Sequence, residues 1–334
     1  MERMIRELLS YYFDEKQYVV EPVPFGLTNL TKIIRINDHR FVARVYNPQT
    51  KDVAQLKFEI ELISYLQQCG LSFEVPEFIP AKDGRNFVEI SGKLGAVVHY
   101  IEGEMPDPTR IGHVEEMGRT AGQLSAALSL FKPQEGEAQG LVFHHLDSLH
   151  QLSGRQAVLK FIDSPSFALE PEGIKIVREL LEEIENCKGE LDALPQQIVH
   201  HDLLIFNLLI GSNDQMNGVL DFDFASWDLR ALELAVCLNH LLQFGDDSLE
   251  HVQSFVDQYF RYMTLNEDEI EKLPLLMRMY YVSLLTIYIG QHAEGKDIQS
   301  PFLFILDQLY RRTIWLERDS ERLIRVVSAA NARK

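Results

Sequence analysis

Residues 200–210 read "HHDLLIFNLLI", and a short connection later residues 219–225 read "VLDFDFA". Asp202 and Asn207 sit inside apolar runs, and Asp221 and Asp223 interrupt another. A carboxylate buried among Leu, Ile and Phe is costly unless it is paired or holds a metal. Polar groups placed this way again and again between 202 and 223 point to a site, not to plain core.

The surroundings set the architecture. Residues 196–222 are strand-like pieces joined by the turn-rich "GSNDQMNG" (211–218), within a half of the chain that otherwise has helical period. Val114, Met117, Ala121, Leu124, Leu128 and Phe131 mark one helix, "EGIKIVRELLEEIENC" (172–187) another. From Leu229 onward the helical pattern is broken at Gly245, Pro274, Gly295 and Pro301. The first hundred residues differ. "QYVVEPV" (17–23), "NLTKIIRI" (29–36) and "FVARVY" (41–46) read as strands, with a hairpin turn in "INDHRF" (36–41). "DVAQLKFEIELISYLQQCG" (52–70) is an amphipathic helix stopped by Gly70, and "NFVEISGKLGAVVHYI" (86–101) a second hairpin. The predicted class is α+β: an antiparallel sheet with one helix over 1–101 and a larger, mainly helical part over 102–334.

Composition narrows the function. The chain has 334 residues, 46% of them hydrophobic, and a formal net charge of −18. Residues 1–100 carry 12 Lys+Arg against 13 Asp+Glu, and the remainder 20 against 37. No basic face is available for nucleic acid. The acidic C-terminal part has two readings: solubility, or attraction of a cationic or amine-bearing substrate. The apolar stretch "MYYVSLLTIYI" (279–289) is shorter than the ~20 residues of a membrane span and reads as a core helix. "MERMIRELLSYYF" (1–13) reads as an amphipathic helix and not a signal peptide. Cys69, Cys187 and Cys237 match no metal spacing and suit a reducing, cytoplasmic setting. Nothing in the sequence sets an oligomeric state.

His200, Asp202, Leu203 and Asn207 fall at the offsets of the kinase catalytic loop H-x-D-L-x-x-x-N, and Asp221-Phe222-Asp223 follows where kinases place D-F-G. Phosphoryl transfer needs such a set. One carboxylate orients the acceptor hydroxyl, while an amide oxygen and a second carboxylate hold the Mg²⁺ that neutralises the triphosphate. Asn207 and Asp221 suit that ion.

With these residues the chain resembles the aminoglycoside phosphotransferase superfamily, which includes choline kinases and type II homoserine kinases. "VLDFDFASWDLRALELA" (219–235) is similar to the family's acid-aromatic-acid stretch running into a helix. The resemblance implies a two-lobed, protein-kinase-like fold, ATP and Mg²⁺ as cofactors, and a hydroxyl on a small molecule as acceptor. It implies Asp202 as catalytic base and Asn207 and Asp221 as metal ligands. Asp223, in place of the glycine of D-F-G, is a candidate for a second metal or a substrate amine. Asp228 and Glu233 read as braces of the loop, with Arg230 as partner.

The nucleotide end is drawn from 1–101. "PFGLTNLTK" (24–32) lies where a phosphate-covering loop belongs, and offers Gly26, Thr28 and Asn29. The third strand has no Lys, and Arg44 stands in for it. Val42 shares its strand face and would line the adenine pocket. Glu59 is expected to orient Arg44, and the backbone from His99 to Ile101 to meet adenine, which leaves ATP and GTP undistinguished. His240, Tyr280, Tyr281 and His292 are candidate lining residues for the acceptor.

Three other readings compete. The sparse glycine loop and missing strand Lys would suit a non-catalytic nucleotide-binding protein. The "ARVY" strand end resembles a protein Ser/Thr kinase branch of the superfamily. The pairs His144-His145 and His200-His201 suggest a metal phosphohydrolase, which the strand-like flanks of 200–202 oppose.

Overall fold

Alternating β-branched residues and two tight turns build the N-terminal sheet; the computed structural model describes residues 2–14, 17–21, 23, 29–48, 51–133, 140–245 and 247–333. Its elements are α1 (Glu2–Ser10), β1 (Val19–Glu21), β2 (Leu30–Ile36), β3 (His39–Val45), α2 (Val53–Leu66), β4 (Val88–Ile90) and β5 (Lys93–His99). The strands form one antiparallel sheet in the order β1-β2-β3-β5-β4. Asn37 makes the β2–β3 turn at φ 53°, a conformation Asn tolerates.

The sheet is covered on both faces. Ile5, Leu8 and Leu9 of α1 pack with Ile34, Ala43, Val45 and Val97. Leu56 of α2 packs with Tyr46 and Ala96. The single covering helix of the sequence reading is therefore joined by α1, expected as an amphipathic helix but not placed on the sheet. Asp52 caps α2 and Gln55 closes the capping box.

Further along lie α3 (Ile111–Leu130), α4 (Arg155–Asp163), α5 (Pro171–Asn186), α6 (Lys188–Asp192), β6 (Gln196–Val199), β7 (Leu208–Ile210), β8 (Met216–Val219), β9 (Ser226–Leu229), α7 (Ala231–Phe244), α8 (Leu249–Tyr259), α9 (Glu267–Ala293) and α10 (Gln299–Asn331). β6 pairs with β9, and β7 with β8. The described residues divide into two compact units. One comprises 2–106, 131–133 and 206–223; the other 107–130, 140–205 and 224–333. The β7–β8 hairpin thus groups with the N-terminal sheet, where Glu74 N–H donates to Asn217 O and Val219 N–H to Glu74 O. A single boundary after Ile101 does not describe this division.

Two expected helix breaks are absent. Pro301 lies in the first turn of α10, where no intrahelical donor is needed. Pro274 lies inside α9. Its neighbours Leu273, Leu275, Leu276 and Met277 are all buried, so packing outweighs one lost backbone bond. Among the described residues α9 alone is long and apolar enough to cross a membrane, and 72% of its most apolar window is buried, against α7, α10 and α5.

The second unit depends on a close helix crossing. A Cβ on Gly118 of α3 would lie 2.2 Å from Phe255 O of α8, and one on Gly122 2.5 Å from Tyr259 O. Gly118→Ala or Gly122→Ala must push the two backbones apart, at about 2–3 kcal/mol each. Urea unfolding checks this: the midpoint falls while the slope is kept. An unmoved midpoint would contradict the crossing.

Candidate active site

In the first unit a charge cluster forms around Asp223. Arg44 reaches it from β3, with Nη1 3.2 Å from Asp223 Oδ1 and 3.3 Å from Asp221 Oδ1. Lys51 Nζ lies 2.6 Å from Glu59 Oε2 and 3.3 Å from Asp223 Oδ1. Asn29 Nδ2 donates to Asp223 Oδ2 at 2.6 Å, while its Oδ1 accepts the Asn47 N–H. Burial pushes the Asp223 carboxyl up, but Arg44, Lys51 and Asn29 outweigh it and hold the pKa below the usual value. Asp221 shifts the other way. Its enclosure, with Asp223 beside it, raises its pKa against the pull of Arg44 and Lys51. Burial likewise raises Glu59, whose partner Lys51 stays protonated.

The hairpin sets Asn207 next to Asp221. Leu208 pairs with Val219, and Leu220 N–H donates to Asn207 O at 2.8 Å. Asn207 closes a 3₁₀ turn just before β7, and Asp221 follows β8 with a left-handed backbone, φ 64°. That conformation costs on the order of 1 kcal/mol for a residue with a Cβ, and the cluster maintains it.

Several expectations change here. Glu59 was expected to orient Arg44; its partner is Lys51, because the Asp221–Asp223 pair draws the guanidinium away. Asp223 was expected to face a second metal or a substrate amine, yet both its oxygens are engaged by protein donors. Val42 does share the less buried face with Arg44, while Ala43 and Val45 are buried. At the expected adenine edge, the N–H of His99 donates to Glu77 O and that of Tyr100 to Arg40 O. Ile101 is a buried side chain, and its Cγ2 would lie 2.6 Å from a Cβ at Gly218. Gly26 and Thr28 lie outside the described residues.

In the second unit the loop after β6 is braced from below. His200 N–H donates to Glu233 Oε2 at 2.7 Å. His201, at φ 63°, stacks on Phe143 and reaches Asp228 Oδ2 through Nε2 at 3.0 Å. Asp228 also accepts the Phe143 N–H and bonds His144 Nδ1. Burial raises the Asp228 carboxyl, but its bonds to His144 and His201 carry it well below the usual range. Arg230, expected to serve these braces, instead forks onto the buried Glu269 with two 2.7 Å bonds. Asp202 is half-buried; its N–H donates to His200 Nδ1, and its charge, after burial, raises the phenols of Tyr280 and Tyr288 on α9. Asp202 thus acts electrostatically on Tyr280, whereas Tyr281 and His240 lie near Arg312, and His292 bonds Ser166.

Residues 19–267, about three-quarters of the chain, match the sequence profile of the phosphotransferase enzyme family. The chain belongs to that family. It is 24% identical over 278 residues to a homoserine kinase of Allorhizobium ampelinum, covering 82% of this chain and 81% of that protein. In fold it is similar to a microcompartment-associated aminopropanol kinase, with a TM-score of 0.68 at 16% identity over 97% of this chain and 98% of that one. An amicoumacin kinase solved with AMP-PNP and Ca²⁺ gives a TM-score of 0.67 at 12% identity, over 91% and 90%. The kinase-like fold and the superfamily read from the sequence are borne out. By family the chain is a phosphotransferase.

Lys51 of the phosphotransferase was missed because it lies outside the strands. One signal was present: a Lys directly before the N-cap of α2 puts a cation at the positive end of a helix, and so calls for acidic partners. Glu233 generates a pH prediction. Its Oε1 is buried without a hydrogen-bond partner, and burial raises its pKa from 4.5 to about 7. The stability this protonation contributes is full below the unfolded value and is lost as pH rises through about 7. Glu233→Gln keeps an acceptor for His200 N–H without the titration. Between pH 4.5 and 8 the wild type should therefore lose about 3 kcal/mol that the variant keeps. Parallel urea titrations test this, and identical pH slopes would contradict it.

Proposed function

We propose that this phosphotransferase moves the γ-phosphate of ATP onto the hydroxyl of a small, amine-bearing molecule in the cytoplasm, with Mg²⁺ as cofactor. The observation that carries the metal is a charge imbalance. Among the described residues the cations paired with Asp221, Asp223 and Glu59 are Arg44 and Lys51, and Asp221 is the carboxylate left undercompensated. An undercompensated carboxylate, on a hairpin that brings an Asn alongside by backbone pairing, suits a hard divalent ion. Asn207 and Asp221 would hold it, and when bound it neutralises charge on the polyphosphate.

The chain's own groups do the rest. Asp202 orients the acceptor hydroxyl and takes its proton as the bond to phosphorus forms. Arg44 and Lys51 lie where a polyphosphate can exchange for their carboxylate partners; Asp223 and Glu59 keep both charged until then. Asn29 ties the start of β2 to Asp223. Asp228 and Glu233 position Asp202 by fixing His201 and His200 on either side of the turn.

The acceptor reading rests on charge and on relatives. The chain beyond residue 100 has 17 more acids than bases, and the similar proteins include kinases of homoserine and aminopropanol. A nucleotide-consumption screen with Mg²⁺ over amino alcohols, hydroxy amino acids, sugars and aminoglycosides tests the class. The expected result is turnover confined to amine-bearing alcohols, with Asp202→Asn lowering kcat by roughly 10²–10⁴-fold at little change in KM. Turnover only with protein acceptors, or an Asp202→Asn enzyme at full rate, would refute the proposal.

A further inference from the structure

The histidine pair at 144–145 has no part in phosphoryl transfer, yet it is arranged as a ligand set in the second unit. His144 is 5% exposed and its Nδ1 bonds Asp228 Oδ1. Asp228 Oδ2 also accepts the Phe143 N–H and Oδ1 the Leu229 N–H, so both oxygens act as acceptors. A carboxylate only accepts, so the imidazole proton sits on Nδ1 and Nε2 presents a lone pair. That Nε2 is buried and has no hydrogen-bond partner. It faces Asp192 Oδ1 at 3.6 Å, an oxygen that also only accepts. Two acceptors held face to face repel unless a cation lies between them.

A third donor completes the group. His145 Nε2 lies 3.2 Å from the same Asp192 oxygen, and the three atoms all fall within 4.8 Å of one another. Four ligands around an ion with bonds of about 2.0–2.1 Å stand roughly 3.3 Å apart in a tetrahedron. Two of the three edges here are already close to that length. The group borders a cavity of about 470 Å³, lined also by Ser148, Arg155 and Thr286. Arg155 is committed elsewhere, donating to Leu181 O at 2.7 Å.

We propose that His144 Nε2, His145 Nε2 and the Asp192 carboxylate bind a divalent transition-metal ion of the zinc class, with a fourth position open to that cavity. The Asp228–His144 pair is the outer carboxylate that sets the tautomer and aim of a metal-bound imidazole. Donor chemistry separates this ion from the nucleotide's. Imidazole nitrogens select zinc-like ions, whereas the amide and carboxylate oxygens of Asn207 and Asp221 select magnesium-like ones. Because Asp228 also holds His201, the bound ion is tied through one carboxylate to the loop that carries Asp202.

The test uses the full chain, stripped of metal by a chelator. It is titrated with Zn²⁺ against a chromophoric competitor, and with Co²⁺ followed by visible absorption. The expected result is one equivalent of Zn²⁺ retained in millimolar Mg²⁺ and Co²⁺ bands of tetrahedral type. His145→Ala and Asp192→Asn should each weaken binding by roughly tenfold or more. Both side chains are exposed, and unfolding midpoints check that the variants remain folded. Wild-type affinity in both variants, or no uptake by the wild type, overturns the proposal, since a proton then bridges His144 and Asp192.

Discussion

Three carboxylates share two cations in the first unit, and much of the site's order follows from that shortage. Asp223 is the hub. It holds Arg44, Lys51 and Asn29 at once, so strand β3, the chain entering α2 and the start of β2 are all tied to the segment after β8. Glu59 anchors Lys51 from α2. Asp221 receives only one oxygen's worth of pairing from Arg44, on a left-handed backbone. Buried charge of this kind is weak support for stability. Its value lies in geometry: each cation is pre-placed and charged, and one carboxylate is left in want of a partner.

The second unit solves a different problem with hydrogen bonds. On the proposed function, Asp202 needs a fixed direction. The turn is therefore gripped by its neighbours, His200 through a backbone donor to Glu233 and His201 through its ring to Asp228. Both acids are fully buried, and their titration is pushed in opposite directions. Asp228 has four donors around it and stays ionised, whereas Glu233 has one and favours the neutral form. Environment, not residue type, separates the two roles.

How much of this was legible in the sequence depended on distance along the chain. Asp202, Asn207 and Asp221, the residues on which the proposed function rests, stand out in the sequence because their offsets are short and the chemistry demands those residue types. The sheet, hairpins and α2 could be read because burial of one face imposes a period. Pairings across the chain had no such signature. Lys51, not Arg44, meets Glu59, and Arg230 meets Glu269 instead of the loop braces, because each buried acid takes the nearest cation in space. The same holds for Asp223, whose substitution for glycine suggested an outward role while its actual partners come from residues 29, 44 and 51. Pro274 misled for a related reason: local propensity gave way to tertiary burial.

On the proposed function, Asp221 is undercompensated until a divalent ion arrives with the nucleotide. Calorimetric binding of a non-hydrolysable ATP analogue, with and without Mg²⁺, tests it most directly. The prediction is that Mg²⁺ tightens binding by roughly tenfold or more and that Asp221→Asn erases the difference. Equal affinity with and without the ion, in a wild-type protein that binds the analogue well, would contradict it.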